Sequence, residues 1–140
     1  MSVEQPLRFV TKTMTVVINA LVIARTGGTR ATRTNLRPGM TLGFIERIHG
    51  NEVFGQPIYP DLYHQAAAYM FYIIKNHAFL DGNKRTGLAA AVTFLLWNGH
   101  EVRSLDEDAT FDFVVDLADK GEDPETAVPR IAAWLQTVCS

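Results

Sequence analysis

The sequence lacks most of what marks a specialised compartment or a non-globular chain. Its 140 residues include one cysteine, Cys139, so no internal disulfide can form and a reducing, cytoplasmic setting is expected. Neither charge is in excess: 13 Lys and Arg stand against 15 Asp and Glu, a formal net charge of −2. That balance argues against direct nucleic-acid binding, which calls for a basic excess or stripe. No apolar run is long enough for a membrane span. Val16 to Ala24, interrupted by Asn19, falls far short of the ~20 residues required. Arg8 and Lys12 lend that run a superficial likeness to a secretory signal. Glu4 in the would-be basic region and the missing small-x-small cleavage site count against it, and the run reads as a core element. There is no repeat and no low-complexity tract. With 47% hydrophobic and 20% charged residues, the chain suits one globular domain over residues 1–140.

What is present is helical periodicity. Thr13 to Arg25 carries two apolar faces, Met14/Val17/Ile18/Leu21 and Val16/Ala20/Ile23, and is stopped by Gly27-Gly28. A polar loop with Arg25, Arg30, Arg33 and Arg37 reads as solvated, and a short helix over Thr41 to His49 follows. Gly50 to Pro60 is rich in breakers yet holds Phe54, Ile58 and Tyr59. It predicts a loop or small hairpin, either a lid on the core or a flap that docks a peptide. Asp61 to Asn76 and Lys84 to Asn98 are strongly helical, and the second, apolar nearly all round, is expected at the centre of the bundle. Ser104-x-x-Glu107 predicts a capping box opening a helix to about Asp119, with Phe111, Val114, Val115 and Ala118 inward. A last helix begins after Pro124, with a re-entry at Pro129. The expected class is all-α, an orthogonal bundle of about six helices with little or no β structure.

The chemistry concentrates between the two strongest helices, in His77-Ala-Phe-Leu-Asp-Gly-Asn-Lys-Arg-Thr86. A helix N-terminus exposes unpaired N–H groups and partial positive charge, so cations in its first turn are unfavourable by ~0.3–1 kcal/mol each. Lys84 and Arg85 stand there, and a bound phosphate would resolve the conflict. Gly82 lets the backbone approach such an anion, and Asn83 can cap the helix or donate to a phosphate oxygen. His77 is either a plain helix cap or a neutral imidazole able to take a hydroxyl proton. Asp81 is either an N-cap or a Mg²⁺ ligand beside the phosphates. Phe79 reads as an anchor to the core.

This segment resembles the signature of the Fic/Doc family, in particular its death-on-curing branch, and the likeness extends over about Tyr59 to Val102. The resemblance implies that His77 is the base acting on a target-protein hydroxyl, and that Asp81 binds Mg²⁺. It further implies that Gly82 and Asn83 form the anion turn, with Arg85 gripping the phosphates of ATP. Lys84 stands where adenylylating members carry Gly, and Leu88 where they carry a second Arg. Both departures agree with the death-on-curing branch, which transfers the γ-phosphate and whose known target is a threonine of translation elongation factor Tu. The implied function is therefore a phosphotransferase toxin acting on a target protein with an exposed Ser or Thr and restrained by an antitoxin. Adenylylation is the alternative with the same base and turn. A non-catalytic nucleotide sensor or partner-binding module is the alternative of another class. The surplus apolar surface on the first helix and around Phe54, Ile58 and Tyr59 predicts a groove for an amphipathic helix of the antitoxin.

Overall fold

Apolar-periodic stretches punctuated by Asp, Gly and Pro fold into six helices among the residues this computed structural model describes, 6–50, 52–53 and 56–140. They are α1 (Lys12–Thr26), α2 (Gly43–Gly50), α3 (Leu62–Asn76), α4 (Asn83–Trp97), α5 (Glu107–Lys120) and α6 (Pro124–Val138). Between α2 and α3 lie two short antiparallel strands, β1 (Glu52–Val53) and β2 (Gln56–Pro57), with Glu52 opposite Pro57 and Val53 opposite Gln56. The class is all-α, as expected, and the breaker-rich segment holds the small hairpin. No helix of the described residues is long and apolar enough to cross a membrane.

Helix ends follow local chemistry. Asp61, Asp106 and Asp123 each cap a helix by accepting the N–H three residues on, from His64, Ala109 and Thr126. The start of α5 therefore differs from the capping box expected at Ser104. Asp106 lies nearer the helix and offers a carboxylate, which the positive end of the helix favours over a hydroxyl. α6 opens with Pro124 at its first position and runs unbroken through Pro129, against the expected re-entry. Pro129 removes only the bond to the Glu125 carbonyl, and both residues are exposed, so water can serve that oxygen.

The centre of the bundle is α3, not α4. Ala66, Ala67, Ala68, Tyr69 and Met70 are all fully buried, and α3 packs on α4 and α6 with lighter contacts to α2 and α5. Three consecutive alanines let neighbours approach on every side, whereas α4 leaves Leu96 and Trp97 exposed near its end. The α3–α4 approach is tight at Gly87, where a Cβ would stand 3.0 Å from the Met70 carbonyl oxygen. On α5 the inward residues are Val114 and Leu117, and Phe113 stacks on Trp134 of α6 with ring centroids 4.5 Å apart. Phe111, expected inside, is 68% exposed.

α1 departs furthest from its apolar pattern. Its buried residues are Thr15, Ile18, Asn19 and Ile23, while Val17 and Leu21 are exposed and Val16 and Ala20 half-buried. The helix turns a partly polar face inward because it packs on α4 where the loop before α4 needs hydrogen-bond partners. At the far end, residues 101–103 pair with 138–140: Ser140 N–H donates to the Glu101 carbonyl (2.8 Å) and Arg103 N–H to that of Val138 (2.8 Å).

Candidate active site

The segment from His77 to Thr86 is pinned from three directions. α3 ends because His77 adopts a left-handed conformation, φ 50°, which turns the chain away from the helix axis. Phe79, fully buried, anchors the following loop as expected. The 27–42 loop runs alongside: Arg37 N–H donates to the Ala78 carbonyl and Leu80 N–H to the Asn35 carbonyl, both at 2.8 Å. Asn83 closes the turn from inside. Its Oδ1 accepts the Phe79 N–H (3.0 Å) and its Nδ2 donates to the Phe79 carbonyl (2.9 Å). Asn83 is thus the first residue of α4, and its amide stitches the loop together; Gly82 (φ 77°) holds the cap position with no side-chain cap bond.

His77, Asp81, Gly82, Asn83, Lys84 and Arg85 line one side of a cleft of about 940 Å³. The opposite wall is α5, with Phe111, Val114 and Val115. The walls differ in charge. Ten of the 15 acidic residues fall between 101 and 125, where only Arg103 and Lys120 are basic. Lys75, Lys84 and Arg85 face Glu107 and Glu122 across the space, so an anion is drawn to the α4 side.

Each side chain has a definite state. His77 is exposed, and the Asn83 amide nitrogen stands 3.4 Å from its Nδ1, at the long edge of hydrogen-bond range. Asp81 accepts the Thr29 N–H at Oδ2 and the Gly82 N–H at Oδ1, both at 2.8 Å. Those two bonds, Thr29 first, hold its carboxyl below the usual carboxylate range; burial opposes them, and the nearby Arg85 guanidinium adds the smallest lowering effect. Lys84 is exposed and forms no ion pair with a carboxylate among the described residues. Arg85 reaches back to α1: Nη1 donates to the Gly27 carbonyl (2.7 Å) and to Thr26 Oγ1, and Nη2 lies 3.7 Å from Asp81 Oδ1. The first turn of α4 thus carries two cations, no acid and no capping side chain, an arrangement suited to phosphate. Among the described residues no group of three His, Cys, Asp or Glu could hold a metal alone. Asp81 suits a Mg²⁺ ion that keeps its other ligands on phosphates and water.

Of the flap residues, Ile58 is exposed and Tyr59 is half-buried, its hydroxyl 3.3 Å from that of Tyr72. Phe54 lies outside the described residues. Four residues of the site were not foreseen: Asn19, Gly28, Thr29 and Asn35. Asn19 did carry a signal, since a polar residue inside an apolar helical run has to be satisfied somewhere. Asn35 carried none, because its left-handed φ of 57° and its burial depend on the folded loop.

The Fic/DOC family profile matches residues 9–95, well beyond the stretch that carries the signature, and takes in α1 and the 27–42 loop. Toxin Doc of Mycolicibacterium smegmatis is 37% identical over 83 residues, which cover 59% of this chain and 64% of that relative. The matched stretch therefore spans less than two thirds of the relative's length. The chain belongs to the Fic/DOC family and falls with its death-on-curing branch.

Proposed function

Proceeding from that membership, we propose that this chain is a protein phosphotransferase of the toxin type, acting in the cytoplasm and held in check by an antitoxin. It would move the γ-phosphate of ATP to a Ser or Thr hydroxyl of a target protein; translation elongation factor Tu is the first candidate. The observation that carries the reading is the first turn of α4, where exposed Lys84 and half-buried Arg85 meet an uncapped helix end beside the exposed imidazole of His77. His77 takes the hydroxyl proton as the oxygen attacks the γ-phosphorus. The bond to the β-phosphate breaks, and ADP leaves. Lys84 and the α4 N–H groups receive phosphate oxygens. Arg85, with five donors, can add a contact while Nη1 keeps its hold on α1. Asp81 would hold Mg²⁺, whose charge offsets that gathered on the phosphates. The β1–β2 hairpin and Ile58 would guide the target segment past His77. The exposed Val17 and Leu21 of α1 offer apolar surface to the antitoxin.

Incubation of the purified chain with the elongation factor and ATP labelled at either the γ- or the α-phosphate tests this reading. Incorporation of the γ label supports phosphotransfer. Incorporation of the α label supports adenylylation instead, and no incorporation into this or any other tested protein overturns both. Lys84→Gly should lower γ-label transfer sharply while adding little α-label transfer, because Leu88 supplies no second guanidinium. Full γ transfer by that variant would remove lysine as the residue that separates the two chemistries.

A further inference from the structure

A chain of buried amides runs behind the phosphate turn and touches no surface that a ligand would meet. Asn19, in the middle of α1 and fully buried, donates from Nδ2 to the Asp81 carbonyl (2.9 Å) and to Thr86 Oγ1 (3.0 Å). Asn35 donates from its own Nδ2 to Asn19 Oδ1 (3.1 Å) and to the Thr29 carbonyl (3.0 Å), and its Oδ1 accepts the Ala31 N–H (3.1 Å). Thr29 then aims its N–H at Asp81 Oδ2. The relay passes from α1 through the 27–42 loop to both the main chain and the carboxylate of Asp81. The surroundings fit it closely. A Cβ at Gly82 would stand 3.3 Å from Asn19 Nδ2, and one at Gly28 2.7 Å from Asp81 Oδ2. A buried polar network specifies one arrangement only when all its members are satisfied, and here both carboxamides use their oxygens and nitrogens.

We propose that Asn19 and Asn35 are positioning residues for nucleotide binding, acting through Thr29 and Thr86 to hold the 81–86 turn in its anion-receiving geometry. Neither residue touches the reacting atoms. Asn19 fixes the height of the turn against α1, and Asn35 fixes the loop that orients the Asp81 carboxylate. Both are amides for a reason: each donates two bonds from its nitrogen and accepts one at its oxygen, whereas a carboxylate has no hydrogen to donate and a hydroxyl has only one. Outer partners of this kind commonly change metal or ligand affinity by about 10–100-fold when removed.

The inference rests on the proposed nucleotide site, and two measurements on the full chain keep the two ideas apart. Asn35→Gly keeps the left-handed backbone and removes the amide, and Asn35→Asp keeps shape and acceptor while removing both donors. The first measurement is amide hydrogen exchange without ligand. Exchange at Thr29, Gly82 and Thr86 should rise about tenfold or more in both variants, with the α3 and α6 core unchanged. The second is titration with Mg²⁺·ATP, where affinity should fall about tenfold or more. Unchanged exchange at those three amides, or a rise shared equally by the core, overturns the positioning role. So does wild-type affinity for Mg²⁺·ATP in variants whose turn has loosened. If the unsubstituted chain itself binds no Mg²⁺·ATP, the nucleotide reading fails, whatever the exchange data show about the relay.

Discussion

Because α3 ends on His77 in the left-handed region, a test of its chemistry has to separate loss of the imidazole from a change in the backbone. Asn adopts that conformation more easily than most residues, so His77→Asn is the control for His77→Ala. Both should lose transfer by about 10²–10⁴-fold while their denaturant midpoints stay close to that of the unsubstituted chain. Wild-type turnover in either variant would place the base elsewhere. A second histidine bears on stability instead. His49 lies against the rings of Phe9, Tyr69 and Phe94, and its Nε2 is 2.8 Å from the Tyr69 hydroxyl, which also accepts the Val10 N–H (3.1 Å). Burial keeps the His49 ring neutral and pushes its pKa down to about 4. In the unfolded chain the ring titrates near 6.5, so between those values the unfolded state binds more protons. Stability is complete above about pH 6.5 and falls towards pH 4, by on the order of 2 kcal/mol once the ring's partial exposure is allowed for. His49→Gln should flatten that part of the pH–stability curve in chemical denaturation. An unchanged slope would show that other groups carry it.

At the scale of elements, the turn before α4 depends on the loop after α1 for more than coverage. Gly28 has φ +126°, and an added Cβ would meet Asp81 Oδ2 at 2.7 Å and Arg85 Nη2 at 3.1 Å. Gly28→Ala should therefore weaken Mg²⁺·ATP binding by about tenfold at a modest cost to folding, read by titration calorimetry and by denaturant unfolding. Gly87→Ala should do the reverse. Its methyl would press on Met70 and Ile74 across the α3–α4 contact, for an overpacking cost of about 1–3 kcal/mol that exceeds the helix-propensity gain. Site geometry should survive in that variant, with the loss appearing in the denaturant midpoint. The same elements explain what could be read from sequence. α3, α4 and the segment between them were legible because periodicity, an Asp cap and a breaker coincide with one compact motif. The faces of α1 were not, because hydrophobicity alone cannot say that a helix will turn Thr15 and Asn19 inward to serve a loop some 60 residues away. Ser104 and Glu107 matched a capping pattern, yet Asp106 between them competes for the same N–H groups, and sequence spacing does not rank the two.

For the whole molecule, the near-neutral total conceals a division between an acidic stretch, residues 101–125, and the basic wall of the cleft. Composition could exclude classes of partner, but only the fold sets those two charges facing each other. The opposite end of the bundle is held differently, by main-chain pairing of residues 101–103 with 138–140. The single thiol lies inside that pairing: Cys139 is 1% exposed, and burial raises its thiol pKa. Alkylation of the native chain has to wait for this pairing to peel apart, so the labelling rate is a chemical clock for one local opening. Native labelling should be at least about 100-fold slower than in denaturant, which corresponds to an opening free energy of roughly 2.7 kcal/mol or more. With Mg²⁺·ATP present the clock should keep its pace if the C-terminal end opens independently of the cleft. A slowing that follows nucleotide occupancy would instead mean that Cys139 reports the unfolding of the entire bundle.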